Sequence, residues 1–202
     1  MQAVLNKTAT TNYPIHPLLA ERWSPRAFAD QPIPADVLGS LLEAARWAPS
    51  SRNEQPWRFV VVRREDEAAH ARMVEVLSGN NRLWAGRAPL LIVGIAKKTV
   101  SQSGAPNSHA WYDLGQAVAH LSVQASAAGL HVHQMGGFDR TKAQVVLEIP
   151  DDFDPVVTIA VGYLGDLADL PEQLQARETA ARSRRPLQES VFDGKWGEAA
   201  NI

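Results

Sequence analysis

The stretch 109–130 constrains this chain most. Trp111, Leu114, Val118, Leu121, Ala125 and Ala128 recur at spacings of three and four, which marks one apolar helix face. Ala119, Val123, Ala127 and Leu130 form a second stripe beside it, offset by one residue, or roughly 100° of helix rotation. Asp113 is its only acid, and it contains no lysine or arginine. A helix apolar on two sides has to be covered on two sides. The cover is either the rest of its own core or another subunit, whose helix its alanines and serines would let approach closely.

The flanking segments supply a sheet for that helix to pack on. Residues 57–63 (WRFVVVR), 89–97, a short apolar run containing β-branched residues, and 156–164 read as strands, and 131–135 is a short extended run before Gly136-Gly137. Helices are expected after Pro34, with Leu38, Leu41, Leu42 and Ala45 on one face, and over 65–77, 139–147 and 171–181. The connections are uneven, which favours an α+β fold over a regular doubly wound sheet. No repeat or Pro/Gly/Ser linker divides the 202 residues, so one domain is expected over 1–202, with the tail from 187 lying on its own or a partner's surface.

Composition removes several function classes. A net charge of −2 disfavours a general nucleic-acid surface, and no cysteine is present for disulfides, thiolate metal sites or thiol catalysis. Residues 1–11 lack the apolar run of a signal peptide, and 90–96 falls far short of the about 20 residues that span a bilayer. A cytoplasmic protein with no membrane role is expected. No GxSxG, HExxH, P-loop or GxGxxG pattern occurs. His131 and His133 alternate on a strand, but no carboxylate stands at a ligand spacing, so no metal is expected.

Two arginine segments about 160 residues apart remain to be explained. Arg22, Ser24 and Arg26 alternate, so in an extended segment all three point to one side and offer two guanidinium forks and a hydroxyl to one oxyanion. Arg182 and Arg184 repeat the spacing near the end. The plain alternatives are a solvated turn and a basic helix end. Between them, Pro49, Ser50, Ser51, Arg52, Asn53, Glu54 and Gln55 lead into Pro56-Trp57, a density of hydrogen-bonding groups suited to a polar, planar ligand. Gly136-Gly137 after a strand would let backbone N–H groups come close to a flat one. A connecting loop and a plain turn are the alternatives here.

Taken in order, RWSPRAF at 22–28, APSSRNEQPWRF at 48–59, GGFD at 136–139, VGYLGD at 161–166 and RSRRPL at 182–187 resemble the nitroreductase family of flavin mononucleotide (FMN) enzymes. The resemblance implies a nitroreductase-like α+β fold with a central mixed or antiparallel sheet flanked by helices. It also implies an intertwined homodimer holding one FMN in each of two interface sites, with the C-terminal extension at about 187–202 packed on the partner. By position, Arg22 and Ser24 would hold the phosphate region, with Arg182 and Arg184 closing on it. Arg26 would sit near N1 and O2 of the flavin, Gly136 and Gly137 would meet N5 and O4, and Asn81 would reach the pyrimidine edge. Pro49, Ser50, Ser51, Asn53 and Gln55 would come from the other subunit.

The activity so implied is NAD(P)H-dependent reduction of nitroaromatics, quinones or similar acceptors by ping-pong hydride transfer. The flavin carries the chemistry, so no side chain is named as catalytic. A different acceptor class on the same scaffold, chosen by residues such as 98–112, and an FMN-storing or FMN-sensing protein without turnover are the alternatives.

Overall fold

The computed structural model describes residues 7–202. Strands β1 (Trp57–Arg63), β2 (Leu90–Lys97), β3 (His131–Met135) and β4 (Phe153–Gly162) form one sheet in the order β1-β2-β4-β3, antiparallel throughout. Alternation along β2 explains its unbroken apolar run. Leu90, Ile92 and Ala96 face one core, and Leu91, Val93 and Ile95 face a second core on the other side of the sheet. A strand covered on both faces has no polar side to show.

The first core is closed by α2 (Ala35–Arg46) and α4 (Ala110–Ala127), which pack on each other through Leu38, Leu41 and Ala45 and through Leu114, Val118, Leu121 and Ala125. The second is closed by α3 (Glu67–Val76), α5 (Arg140–Val146) and α6 (Glu172–Thr179), with Met73, Val76, Ala143 and Leu174 turned inward around Trp84. Asp66 and Asp139 cap α3 and α5 by accepting from Ala69 and Lys142 N–H. The short helix α1 (Pro17–Glu21) precedes the first arginine segment.

Two expectations change. β4 begins at Phe153 rather than at 156 because Asp154 and Pro155 are part of the strand. Pro155 has no N–H for the ladder, and it pairs at the register shift between Gly94 and Ile95, where the ladder is already interrupted. The second stripe of α4 is covered only in part: Leu130 is buried and Val123 half-buried, but Ala119 and Ala127 are exposed. Trp111, placed on the first stripe, is exposed as well. Its Nε1–H donates to Asp154 Oδ2 at the start of β4 at 3.2 Å, and Arg140 lies over its ring. The tail is held mainly by its own short contacts, a Phe192–Ala199 bridge and a Phe192–Trp196 ring pair, and leaves Trp196 exposed. Among the described residues, no helix is long and apolar enough to cross a membrane.

Candidate active site

The first arginine segment leaves α1 in extended conformation and runs beside the edge strand β3. Trp23, Pro25 and Ala27 are buried, while Arg22, Ser24 and Arg26 between them are half-buried, the alternation expected of an extended strip. Two histidines of β3 anchor the buried side. His131 meets Trp23 edge-on at 6.0 Å, and His133 Nδ1–H donates to the Pro25 carbonyl at 2.8 Å. Burial lowers both imidazole pKa values, that of His133 to about 4. The histidines act as neutral packing groups that set the height of the arginine strip.

On the open side, Arg22 Nη1 donates to Ser24 Oγ at 3.2 Å. Arg22, Arg182 and Arg184 then meet at one cleft of about 260 Å³, whose wall also carries Thr10, Thr11 and Ser183 and, among the described residues, no acid. The C-terminal segment is tied in place from below. Arg182 Nη1 donates to the Ala20 carbonyl at 2.8 Å and to the Lys7 carbonyl, and Lys7 Nζ donates to the Ala180 carbonyl. Burial lowers the Arg22 pKa, and Arg182 and Arg184 lower it further. Three like charges without a counter-ion cost energy that a bound oxyanion would remove. A second cleft, of about 330 Å³, is lined by Trp111, Arg140, Asp151 and Asp154 and is of mixed sign.

Arg26 has a different environment. Glu178 of α6 is 1% exposed, and its Oε1 accepts the backbone N–H of Arg26 at 2.7 Å and of Ala27 at 3.2 Å. Its Oε2 stands 3.4 Å from Arg26 Nη1. The sequence reading did not name Glu178. The available signal was an acid continuing the apolar i, i+4 row of Leu170 and Leu174.

Gly136 and Gly137 lie past the end of β3, five residues from His131 and so about 16 Å farther along the strand direction. Asn81 is beside them, with its Nδ2–H donating to the Gly137 carbonyl at 3.0 Å and Ser78 N–H donating to the same oxygen at 3.1 Å. A Cβ on Gly137 would stand 2.8 Å from Asn81 Nδ2, so any larger residue here would push the Asn81 amide out of this position. The arginine cleft and the glycine pair thus occupy the two ends of one strand edge, spaced for a ligand with an anionic tail and a flat head.

The loop carrying Pro49, Ser50, Ser51, Asn53 and Gln55 is elsewhere. Arg52, Asn53 and Gln55 have φ of 54°, 57° and 48°, left-handed positions on either side of Glu54 that non-glycine residues rarely adopt and that often accompany binding loops. It is held by Asp113, 1% exposed, whose Oδ2 accepts Ser51 N–H at 3.1 Å, and by Ser50 Oγ accepting Gln55 N–H at 3.0 Å. Asp113 is in the first turn of α4, whereas Arg22 borders Ser126 and Gly129 at its far end. From 113 to 126 is 13 residues, about 20 Å along the helix. One chain therefore does not bring this loop to its own arginine cleft.

The nitroreductase family model matches residues 19–163. A crystal structure of an oxidoreductase containing FMN superimposes with a TM-score of 0.89 at 37% identity, covering 98% of this chain and 100% of that one. A nitroreductase family protein of Clostridium difficile 630 gives 0.68 at 25% identity, over 88% and 96% of the two chains. Among curated relatives, a Stenotrophomonas maltophilia (strain R551-3) protein named for NADH dehydrogenase and NAD(P)H nitroreductase activity is 27% identical over 161 residues, 71% of this chain and 81% of that one. An uncharacterized 15.4 kDa protein of Mycolicibacterium smegmatis is 36% identical over 89 residues, 44% of this chain and 60% of its own length, so the match spans less than two thirds of that relative. With a family match across most of its length and a fold to agree with it, the chain belongs to the nitroreductase family.

Proposed function

We propose that the protein is an FMN-dependent oxidoreductase that uses NAD(P)H to reduce small electrophilic acceptors such as nitroaromatics or quinones in a ping-pong sequence, and that it works as a homodimer. The observation that carries this reading is the cleft in which Arg22, Arg182 and Arg184 converge with no acid on its wall. The donor set fits the phosphate of FMN, and the glycine pair at the other end of the β3 edge fits a flat ring. The relative that contains FMN is 37% identical over 98% of this chain, and another relative's name supplies the NAD(P)H.

In this reading Arg22, Ser24, Arg182 and Arg184 hold the phosphate, and Arg26 supplies a cation beside the ring. Gly136 and Gly137 give backbone contacts, and Asn81 contacts the pyrimidine edge. Pro49, Ser50, Ser51, Asn53 and Gln55 enter from the second subunit, since a chain's own copy stands about 20 Å off along α4. The exposed Ala119 and Ala127 and the tail around Trp196 are the surfaces offered to that subunit. Held there, FMN would supply the hydride chemistry, and these residues would orient it and shield it from water.

The test compares FMN with riboflavin, which lacks the phosphate. Fluorescence titration of the apoprotein should give FMN about a hundredfold tighter, as expected of several charge-assisted hydrogen bonds. Arg184→Ala should remove most of that difference and leave riboflavin binding unchanged. Equal affinity for the two ligands would defeat the assignment. A yellow protein that oxidises neither NADH nor NADPH with any acceptor would reduce it to FMN storage.

A further inference from the structure

Glu178 pairs with the arginine strip from the buried side, and its placement has an energetic logic of its own. A carboxylate this deeply buried is stable only if its charge is answered and its lone pairs are used. It meets both conditions at one segment, taking the N–H groups of Arg26 and Ala27 on Oε1 and facing the Arg26 guanidinium with Oε2. Among the described residues, no acid stands with Arg22, Arg182 and Arg184 at their cleft. The strip is therefore electrostatically divided. Its phosphate-end cations are left uncompensated, where full charge aids binding of an anion. The cation at 26 is fixed and partly neutralised.

Partial neutralisation would be counterproductive in a residue that only grips phosphate. It is useful in one that faces a redox group. A cation beside the ring favours the negative charge that reduction adds and raises the potential, and an anion close behind that cation opposes it. We propose that Glu178 is a positioning residue that fixes the Arg26 guanidinium and, through it, holds down the reduction potential of the bound flavin. The proposal rests on the FMN reading above. It makes potential in this protein depend on a side chain of α6 far from Arg26 in sequence and buried below the site.

Glu178→Gln tests it, because the amide oxygen can still accept both backbone N–H groups while the negative charge is gone. In the FMN-loaded protein, a dye-equilibrated spectroscopic titration should show the potential rise, with the reduced-to-oxidised ratio at fixed potential up about tenfold, about 30 mV for a two-electron couple. The preference for FMN over riboflavin, which reports on the phosphate cleft, should stay as in wild type. A lower melting temperature with unchanged or lowered potential would mean that Glu178 is only a strut, and would overturn the proposal. If Glu178→Gln does not fold, Glu178→Asp withdraws the charge by one methylene and should give a smaller rise, with an unchanged potential again overturning it. Wild-type protein that binds no FMN would end both this inference and the reading beneath it, and would be seen before any variant is made.

Discussion

His133 links the arginine strip to the sheet through a single ring. It sits 4.5 Å from the Trp84 ring and donates to the Pro25 carbonyl. Burial depresses its pKa from 6.5 to about 4, with Arg26 and Arg22 adding to the effect and the Pro25 carbonyl opposing it. The folded state keeps the imidazole neutral in a range where the unfolded chain takes up a proton. Its contribution to stability is therefore complete above pH 6.5 and is lost as pH falls from 6.5 towards 4, by about 3 kcal/mol in full. Urea midpoints measured from pH 7 to 5, above the range of most carboxylates, should decline in wild type. In His133→Gln, which has no proton to gain, the decline should be clearly shallower. Parallel pH profiles would mean that the ring is not held neutral by the fold.

Between elements, the chain relies on close backbone crossings that small residues make possible. Residues 27–29 cross 163–165 with Gly165 N–H donating to Ala27 O at 3.0 Å and Ala29 N–H to Tyr163 O at 3.0 Å. A Cβ on Gly165 would lie 2.5 Å from the Phe28 carbonyl carbon and 2.7 Å from its oxygen, atoms of the main chain that cannot swing aside. Gly165→Ala should cost about 3 kcal/mol in urea denaturation and also weaken FMN binding, because the segment pushed away carries Arg22 to Arg26. Loss of stability with intact FMN affinity would separate the crossing from the site. Local pattern made much of this architecture legible: the apolar run of β2, the ordered β3 and the helical row Leu114-Val118-Leu121-Ala125 all stand where periodicity puts them. What pattern could not supply were pairings that only the folded chain creates. Glu178 meets Arg26 across 152 residues and Asp113 meets Ser51 across 62; each acid stands in an apolar row, which marks it as unusual but does not reveal its partner. The start of β4 was hidden for a related reason, since Pro155 is allowed in the strand only by a register shift in its neighbour. Of the expected site, the arginine cleft and the Asn81–Gly137 contact lie within one chain, and the Ser50–Gln55 loop does not join them.

At the scale of the whole molecule, the proposed homodimer would account for two observations on α4. One stripe of the helix packs on the sheet, but Ala119 and Ala127 of the other remain open, and the loop held at its first turn lies about 20 Å from the arginine cleft at its last. In that proposal, a second copy packed antiparallel on the open stripe would answer both. It would cover the alanines and carry its own Ser50–Gln55 loop to the opposite end of the helix, next to the first copy's arginines. Small residues permit the close helix approach this needs, and a large charged side chain at the centre of the stripe would prevent it. Ala119→Arg, on an exposed position that contributes nothing to the core, should leave the monomer folded by circular dichroism while shifting sedimentation from dimer to monomer. The same variant should lose at least about tenfold in FMN affinity, because half of the contacts to the ring would have left with the partner. A monomeric variant that binds FMN as tightly as wild type would confine the site to one chain, and a wild-type protein that sediments as a monomer would remove the second copy altogether.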